Sequence, residues 1–461
     1  MRETPAPVGA QPRDPPEPGA HPRDRLERTL SLQDAVFLVV ASVVGSGIFL
    51  TPGAIADRLP HPGLIFAVWI AGALLSLAGA LANAELGAMF PRAGGDYVYL
   101  REAFHPAAGF LAGWLSFFAI FAGTVATLAA GFAESFAAWA GLPASAVVPL
   151  AIATVAASSW LNYASVRSGV LANNLTGWVK IGALFAFAVA GPLTCAGDVG
   201  NLRPLVAGAT QVATPTAFAL ALSPVLFSYL GWNASVYVAS EIRDPRRNVP
   251  RSLFLGLAIC AALYLLLNAV YLYALPVEVL RHTANAGEGA ARVLFGDVGG
   301  RLLAVFVLLS ILGTLNATIL VGPRIAYAMA LDDLFLPGVE RVHPTRRTPA
   351  TAVVVQAGVA IALLLALRGF PGALDFTTFA IVLATTADVL ALLWLRRRQP
   401  GRPRPYRAPG QPWIPALYVA ANLAIAVGLA VGSPRASATG AIVILAGLPV
   451  YAALRRARRA A

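Results

Sequence analysis

The chain has 461 residues, 58% hydrophobic and only 12% charged, with a mean hydropathy of +0.70 and a formal net charge of +12. A soluble domain cannot hide that much apolar surface, so a polytopic membrane protein is expected. The basic excess is almost wholly arginine, and Lys180 is the only lysine.

Residues 1–30 are Pro- and Arg-rich with acids interspersed and no apolar period. They read as a disordered cytoplasmic tail without a signal-peptide core. After them, apolar stretches between charged or Pro/Gly breaks predict twelve membrane spans, at about 34–57, 63–90, 106–140, 144–163, 168–194, 216–241, 250–276, 298–329, 350–367, 371–395, 413–431 and 437–454. With the N-terminus inside and the loops alternating, 26 arginines fall inside and seven outside. That bias predicts cytoplasmic N- and C-termini. The clusters RRRQPGRPRPYR and RRARR are then topogenic first and lipid-facing second, and nucleic acid is a remote third. Cys195 and Cys260 give no CxxC, no metal spacing and no disulfide framework, and the five histidines of tail and loops make no metal set.

The first span carries Gly45-Ser46-Gly47 at its middle. Glycine costs ~1 kcal/mol against alanine inside a helix, so the triplet needs a reason. Close packing through small residues is one. An unwound break is the other, leaving N–H groups of Gly47, Ile48 and Phe49 for an anion and carbonyls from about Val43 and Val44 for an ammonium. Glu85 falls near the inner end of the second span and Glu134 near the outer end of the third, where solvent is the default neighbour.

The fifth span, LANNLTGWVKIGALFAFAVAGPL, holds Lys180 with no other charged side chain between Arg167 and Asp198. A charge there costs at least ~2.5 kcal/mol and marks a transport pathway or a fixed ion pair. Lysine is a compact ammonium able to give up its proton when buried, whereas arginine keeps its own. Snorkelling to a helix end is a poor account, because Lys180 lies about ten residues from either boundary. In the sixth span Pro224 and Gly231 flank Phe227-Ser228-Tyr229. The first and sixth spans are corresponding members of two five-helix halves, and matched breaks point to a transporter site between inverted repeats. Asp388, in the tenth span about two turns from Arg396, is a candidate arginine partner or proton relay. Its helix is expected to lie away from the two breaks.

VVGSGIFLTPG, ANAELGAMFPRAGGDYVYLREAF, LFSYLGWNASVYVASEIRDPRRNVPRSL and SILGTLNATILVGPRIAYAMALDDLFLP resemble the amino acid–polyamine–organocation superfamily. Over residues from about 30 to 455 the chain is most similar to its bacterial L-type-like amino acid transporters. The resemblance implies an all-α LeuT-like fold of twelve transmembrane helices. Residues 31–200 would form the first inverted repeat, 210–398 the second, and 399–461 helices 11 and 12 with a cytoplasmic C-terminus.

By the same resemblance, an amino acid's carboxylate would meet the N–H groups of Ser46 and Gly47, between Gly45 and Ile48, with the Ser46 hydroxyl assisting. Its ammonium would meet carbonyls of Val43, Phe227 and Leu230. The Phe227 ring would gate the site, Tyr229 and Trp232 are further gate candidates, and Asn233 would bond substrate or tie helix 6 to its neighbours. Leu230 stands where the family usually has a small residue, which narrows the pocket. Lys180 matches a lysine that replaces Na⁺ between helices 1 and 8, with Ser310 or Thr314 as partner. It is either a permanent cation or one that releases a proton. Glu85 matches a structural or gating acid beside a cytoplasmic arginine, and ordinary interfacial solvation is the alternative.

The expected function is sodium-independent transport of neutral L-amino acids by alternating access, as exchanger or facilitator, in a prokaryotic inner membrane. The Arg-rich, Lys-poor composition fits a high-GC prokaryotic gene. No acid is expected at either break to pair with a cationic side chain. A proton-coupled symporter is the first alternative, and a cationic amino acid or polyamine exchanger, needing Glu134, the second. A membrane enzyme would need a nucleophile with a base or a metal set, a receptor a soluble output domain, and a channel flux without counter-substrate acceleration. Partners expected are an amino acid and lipid, with no cofactor, metal, nucleic acid or evident accessory chain.

Overall fold

In hydrocarbon every backbone polar group must be satisfied within the chain, which leaves long apolar segments only helix or closed barrel. The computed structural model describes residues 23–24, 26–205, 214–367, 370–432 and 434–460. Most of the expected tail lies outside them. Among the described residues all regular structure is helical apart from one isolated bridge, Leu30 with Ile242.

The helices in order are α1 Leu32–Val43, α2 Gly47–Leu50, α3 Pro52–Arg58, α4 Pro62–Met89, α5 Asp96–Ala103, α6 Pro106–Leu115 and α7 Ala122–Ala140. There follow α8 Val147–Ala164, α9 Val166–Leu193, α10 Pro215–Tyr229, α11 Ala234–Tyr237, α12 Pro245–Ala274 and α13 Val277–Leu280. The rest are α14 Ala286–Val321, α15 Pro323–Leu331, α16 Ala350–Leu367, α17 Phe370–Arg398, α18 Trp413–Gly432 and α19 Pro434–Ala460. A π-helical turn at Ser116–Phe121 joins α6 to α7. Among the described residues ten helical segments are long and apolar enough to cross a membrane, and α10 and the apolar part of α16 are shorter. In order they correspond to the twelve predicted stretches. The sixth is short because its helix stops at Tyr229.

Helix starts follow local chemistry. Ser31 opens α1 with a capping box: its Oγ accepts from the Asp34 N–H, and the Asp34 carboxylate accepts from the Ser31 N–H. Prolines open α4, α6 and α12 at positions whose N–H has no helical partner.

At the end of the bundle where α4 and α17 finish, acids and arginines pair out of water. Arg324 of α15 grips Glu241 through two bonds of 2.8 and 3.0 Å, and the two side chains are only 3% and 2% exposed. Glu241 also gives its carbonyl to the Leu30 N–H, and Leu30 accepts from Arg243, so this pair holds the strand-like entry to α1 against the segment after α11. Removing one partner of a buried pair strands the other charge, at about 3–5 kcal/mol. Arg324→Met is therefore expected to lower the melting temperature of the detergent-purified protein sharply. The double variant with Glu241→Leu should recover most of that loss.

Candidate functional site

The first break is visible in the backbone. Val44 leaves helical geometry at φ −76°, ψ 84°, the Gly45 N–H turns back to the Val43 carbonyl at 2.8 Å, and α2 restarts at Gly47. Carbonyls at the end of α1 thereby lose their i+4 donors. The second break lies at Leu230–Asn233, where Leu230 is extended and Gly231 has φ +97°. Here the sequence expectation is corrected: Phe227-Ser228-Tyr229 form the last turn of α10, since Pro224 costs that helix one N–H without ending it.

The two breaks touch. A Cβ on Gly47 would stand 2.7 Å from the Ser228 Cα, and one on Gly231 would stand 2.9 Å from the Ser42 carbonyl carbon. Only glycine allows so close a crossing, and Gly231 needs its positive φ as well.

Lys180, 1% exposed at the middle of α9, fills the inner edge of the first break. Its ammonium donates to the carbonyls of Ala41 at 3.0 Å and Val44 at 2.5 Å, and to Thr314 Oγ1 at 2.9 Å. Ser310 Oγ donates to the same Val44 carbonyl at 3.1 Å. Three N⁺–H donors thus meet three oxygens, two of them carbonyls orphaned by the break. Tyr264 of α12 does the corresponding work between the two breaks. Its hydroxyl lies 2.9 Å from the Val43 carbonyl and 2.8 Å from the Ser228 carbonyl. Nothing in the sequence separated this tyrosine from the other buried aromatics of the spans.

Beside the breaks lies a cavity of about 100 Å³, several times the space one water needs. Of the expected residues, Val43, Gly45, Ser46, Gly47, Phe227, Leu230, Asn233 and Thr314 line it. Among the described residues, no hydrogen bond occupies the N–H groups of Ser46, Gly47 or Ile48. The Phe49 N–H, expected to be free, is spent on the Ser46 carbonyl at 3.1 Å.

One expected residue reaches the cavity by its backbone alone, and two gate candidates lie off it. The Ile48 side chain is fully buried away from the cavity, so only its N–H is near. Tyr229 is buried against Trp69 and Tyr264, and Trp232 packs near Gly79 of α4. Both rings turn toward α4 because of their phase around the sixth span, and neither lines the cavity.

The acids are distributed differently from expectation. Glu85 is fully buried and receives Arg396 at 2.9 Å from Nε and again from Nη2, with Arg404 Nε at 3.2 Å and the Ala408 N–H at 2.7 Å. This rules out the ordinarily solvated alternative. Glu134 is exposed and faces a second cavity of about 80 Å³ that Ser46 also lines.

Asp96, in the GGDY segment, lines the cavity beside the breaks, an acid close to where the sequence led none to be expected. Ser116 Oγ donates to it at 2.8 Å and the Tyr237 hydroxyl lies 2.9 Å from both its oxygens, while Asn233 Nδ2 donates to Tyr237 at 3.2 Å. Asn233 therefore ties its own segment together. Among the described residues Asp388 has no arginine partner, and Arg396 is taken by Glu85. Its helix α17 is not remote either: Thr377, Ile381, Ala384 and Thr385 form part of the cavity wall.

A crowded glycine and an open one make a controlled comparison. Gly47→Ala must push its Cβ into Ser228, an overpacking cost of about 1–3 kcal/mol, and should lower the melting temperature. Gly182→Ala, with nothing within 4 Å, should leave it unchanged or slightly raised.

The amino acid permease family model matches residues 30–454. The chain is 30% identical over 439 residues to the serine/threonine exchanger SteT of Bacillus subtilis (strain 168), covering 94% of this chain and 98% of that one. It is 29% identical over 447 residues to Asc-type amino acid transporter 1 of Mus musculus, covering 94% and 82%. To the large neutral amino acids transporter small subunit 2 of Homo sapiens it is 28% identical over 438 residues, covering 92% and 80%.

Proposed function

We propose, for a chain that belongs to the amino acid permease family of the amino acid–polyamine–organocation superfamily, the sodium-independent exchange of small neutral L-amino acids by alternating access. Amino acid transport and a multi-pass membrane location come with the family. The finer reading adds a LeuT-like arrangement in which α1–α9 and α10–α17 are inverted repeats and α18 and α19 lie outside. It also places both termini in the cytoplasm of a prokaryote and the protein in the inner membrane.

The observation that carries the reading is the Lys180 ammonium on the Ala41 and Val44 carbonyls and Thr314. Carbonyl and hydroxyl oxygens around one positive charge are what a sodium ion would take. A resident ammonium supplies that charge from within the chain, so loading needs no sodium. The unoccupied N–H groups of Ser46, Gly47 and Ile48 open α2 toward the cavity and suit a carboxylate. Phe227 and Leu230 also line the cavity, and their backbone carbonyls suit the ammonium.

Preference for a small side chain rests on the tight cavity with Leu230 in its wall, and is supported by a relative named for serine and threonine. A cationic substrate is the second reading, favoured by Asp96 at the wall. That carboxyl is already engaged by Tyr237 and Ser116, which leaves it less to offer a guest.

Exchange of labelled serine should fall by about tenfold or more in Lys180→Ala, since two carbonyls and a hydroxyl lose a charged donor at once. Wild-type rates in that variant would remove the role given to the lysine. Unlabelled alanine, serine or leucine should compete and arginine should not. The reverse pattern would favour the cationic reading.

A further inference from the structure

Asp96 and Asp388 form a pair beside the cavity that plays no part in holding the two breaks together. Helix α17 packs against α5 and α4, and there the Asp388 and Asp96 side chains interact, with Asn83 of α4 as another polar neighbour of Asp388. Both aspartates and Asn83 are fully buried. Asp96 has donors in Ser116 and Tyr237. Asp388 has none, because the neighbouring carboxyl brings only acceptors and the Asn83 amide gives it no well-directed bond.

Among the described residues no lysine, arginine or histidine pairs with either carboxyl. Asp96 is the charged group acting on Asp388, and the other titratable side chains around the pair are Tyr99 of α5, Tyr237 of α11 and Tyr418 of α18, all acids and none a base. Arg396, about two turns further along α17, is held by Glu85. Two carboxylates in contact, out of water and without a cation, cannot both be ionised, and a buried carboxyl with two unpartnered oxygens calls for a proton.

We infer that Asp96 and Asp388 hold one proton between them, and that this proton is bound and released in each transport cycle, travelling in the same direction as the amino acid. With the proton present, the O–H of one carboxyl donates to the other and ties α17 to α5. Through Tyr237 it also ties α17 to α11, beyond the second break. Without it, two like charges face each other and drive α17 away from α5. Since α17 supplies Thr377, Ile381 and Thr385 to the cavity wall, the proton and the shape of that wall are linked. Asp96 itself lines the cavity, so protons reach the pair by the opening that admits substrate, and both change sides together. The coupling rests on the reading of the chain as an amino acid carrier.

Two readouts test it. In sodium-free proteoliposomes without internal amino acid, an acidic outside should speed labelled serine uptake severalfold in the wild type. Asp388→Asn should lose that acceleration while keeping serine exchange at equal pH, because its amide donates to Asp96 as the protonated acid would. Equal acceleration in the variant, or none in the wild type, overturns the coupling. Infrared spectra of the purified wild type at neutral pH should show a protonated-carboxyl C=O stretch that disappears in Asp388→Asn. An unchanged spectrum overturns the shared proton whether or not serine is carried. Absence of serine exchange in the wild type counts against the carrier reading instead.

Discussion

One ammonium in the wrong place by ordinary membrane rules holds the site together. The Lys180 side chain reaches from α9 to α1 and α14 and satisfies carbonyls that the first break exposes. A broken helix at membrane depth is tolerable only if its orphaned groups find partners. Here the partners are a lysine, the Ser310 and Thr314 hydroxyls, and the Tyr264 hydroxyl. The charge is costly without the break, and the break is costly without the charge. Each makes sense of the other.

The second break is arranged around the first. Gly231 lies against Ser42 and Gly47 against Ser228, so the two unwound segments approach at van der Waals range. Tyr264 bridges the remaining gap by bonding a carbonyl on each side. Ser46 and Gly47, whose N–H groups start α2, line the cavity, and Asp96 stands in the same wall. The proposed substrate, a small zwitterion, suits that polarity, because backbone dipoles reach its two charges without a charged side chain to match.

Much of this was legible because glycine and lysine are expensive inside an apolar helix. Gly45, Gly47 and Gly231 announced the breaks, and Lys180 announced a transport pathway or a fixed ion pair. Ser310 and Thr314 came from the family resemblance, not from spacing. What stayed hidden depends on rotation about helix axes. Spans that are apolar all round do not say which face is turned inward, so the resemblance that offered Tyr229 and Trp232 as gate candidates had no check on where their rings point. Asp388 was set apart from the breaks for the same reason. Asp96 escaped notice because it follows two glycines in a short connection, where a carboxylate is normally solvated. Gly94 and Gly95, at φ +111° and +47°, turn the chain so that Asp96 starts α5 from inside the bundle.

The account stands or falls on whether the lysine does the work of an ion. Labelled serine uptake into proteoliposomes, with and without unlabelled serine inside, should be measured in sodium-free buffer and again after sodium is added. The account predicts acceleration by internal serine in the absence of sodium and no further gain when it is supplied. Uptake that is absent without sodium and restored by it would contradict the assignment of Lys180.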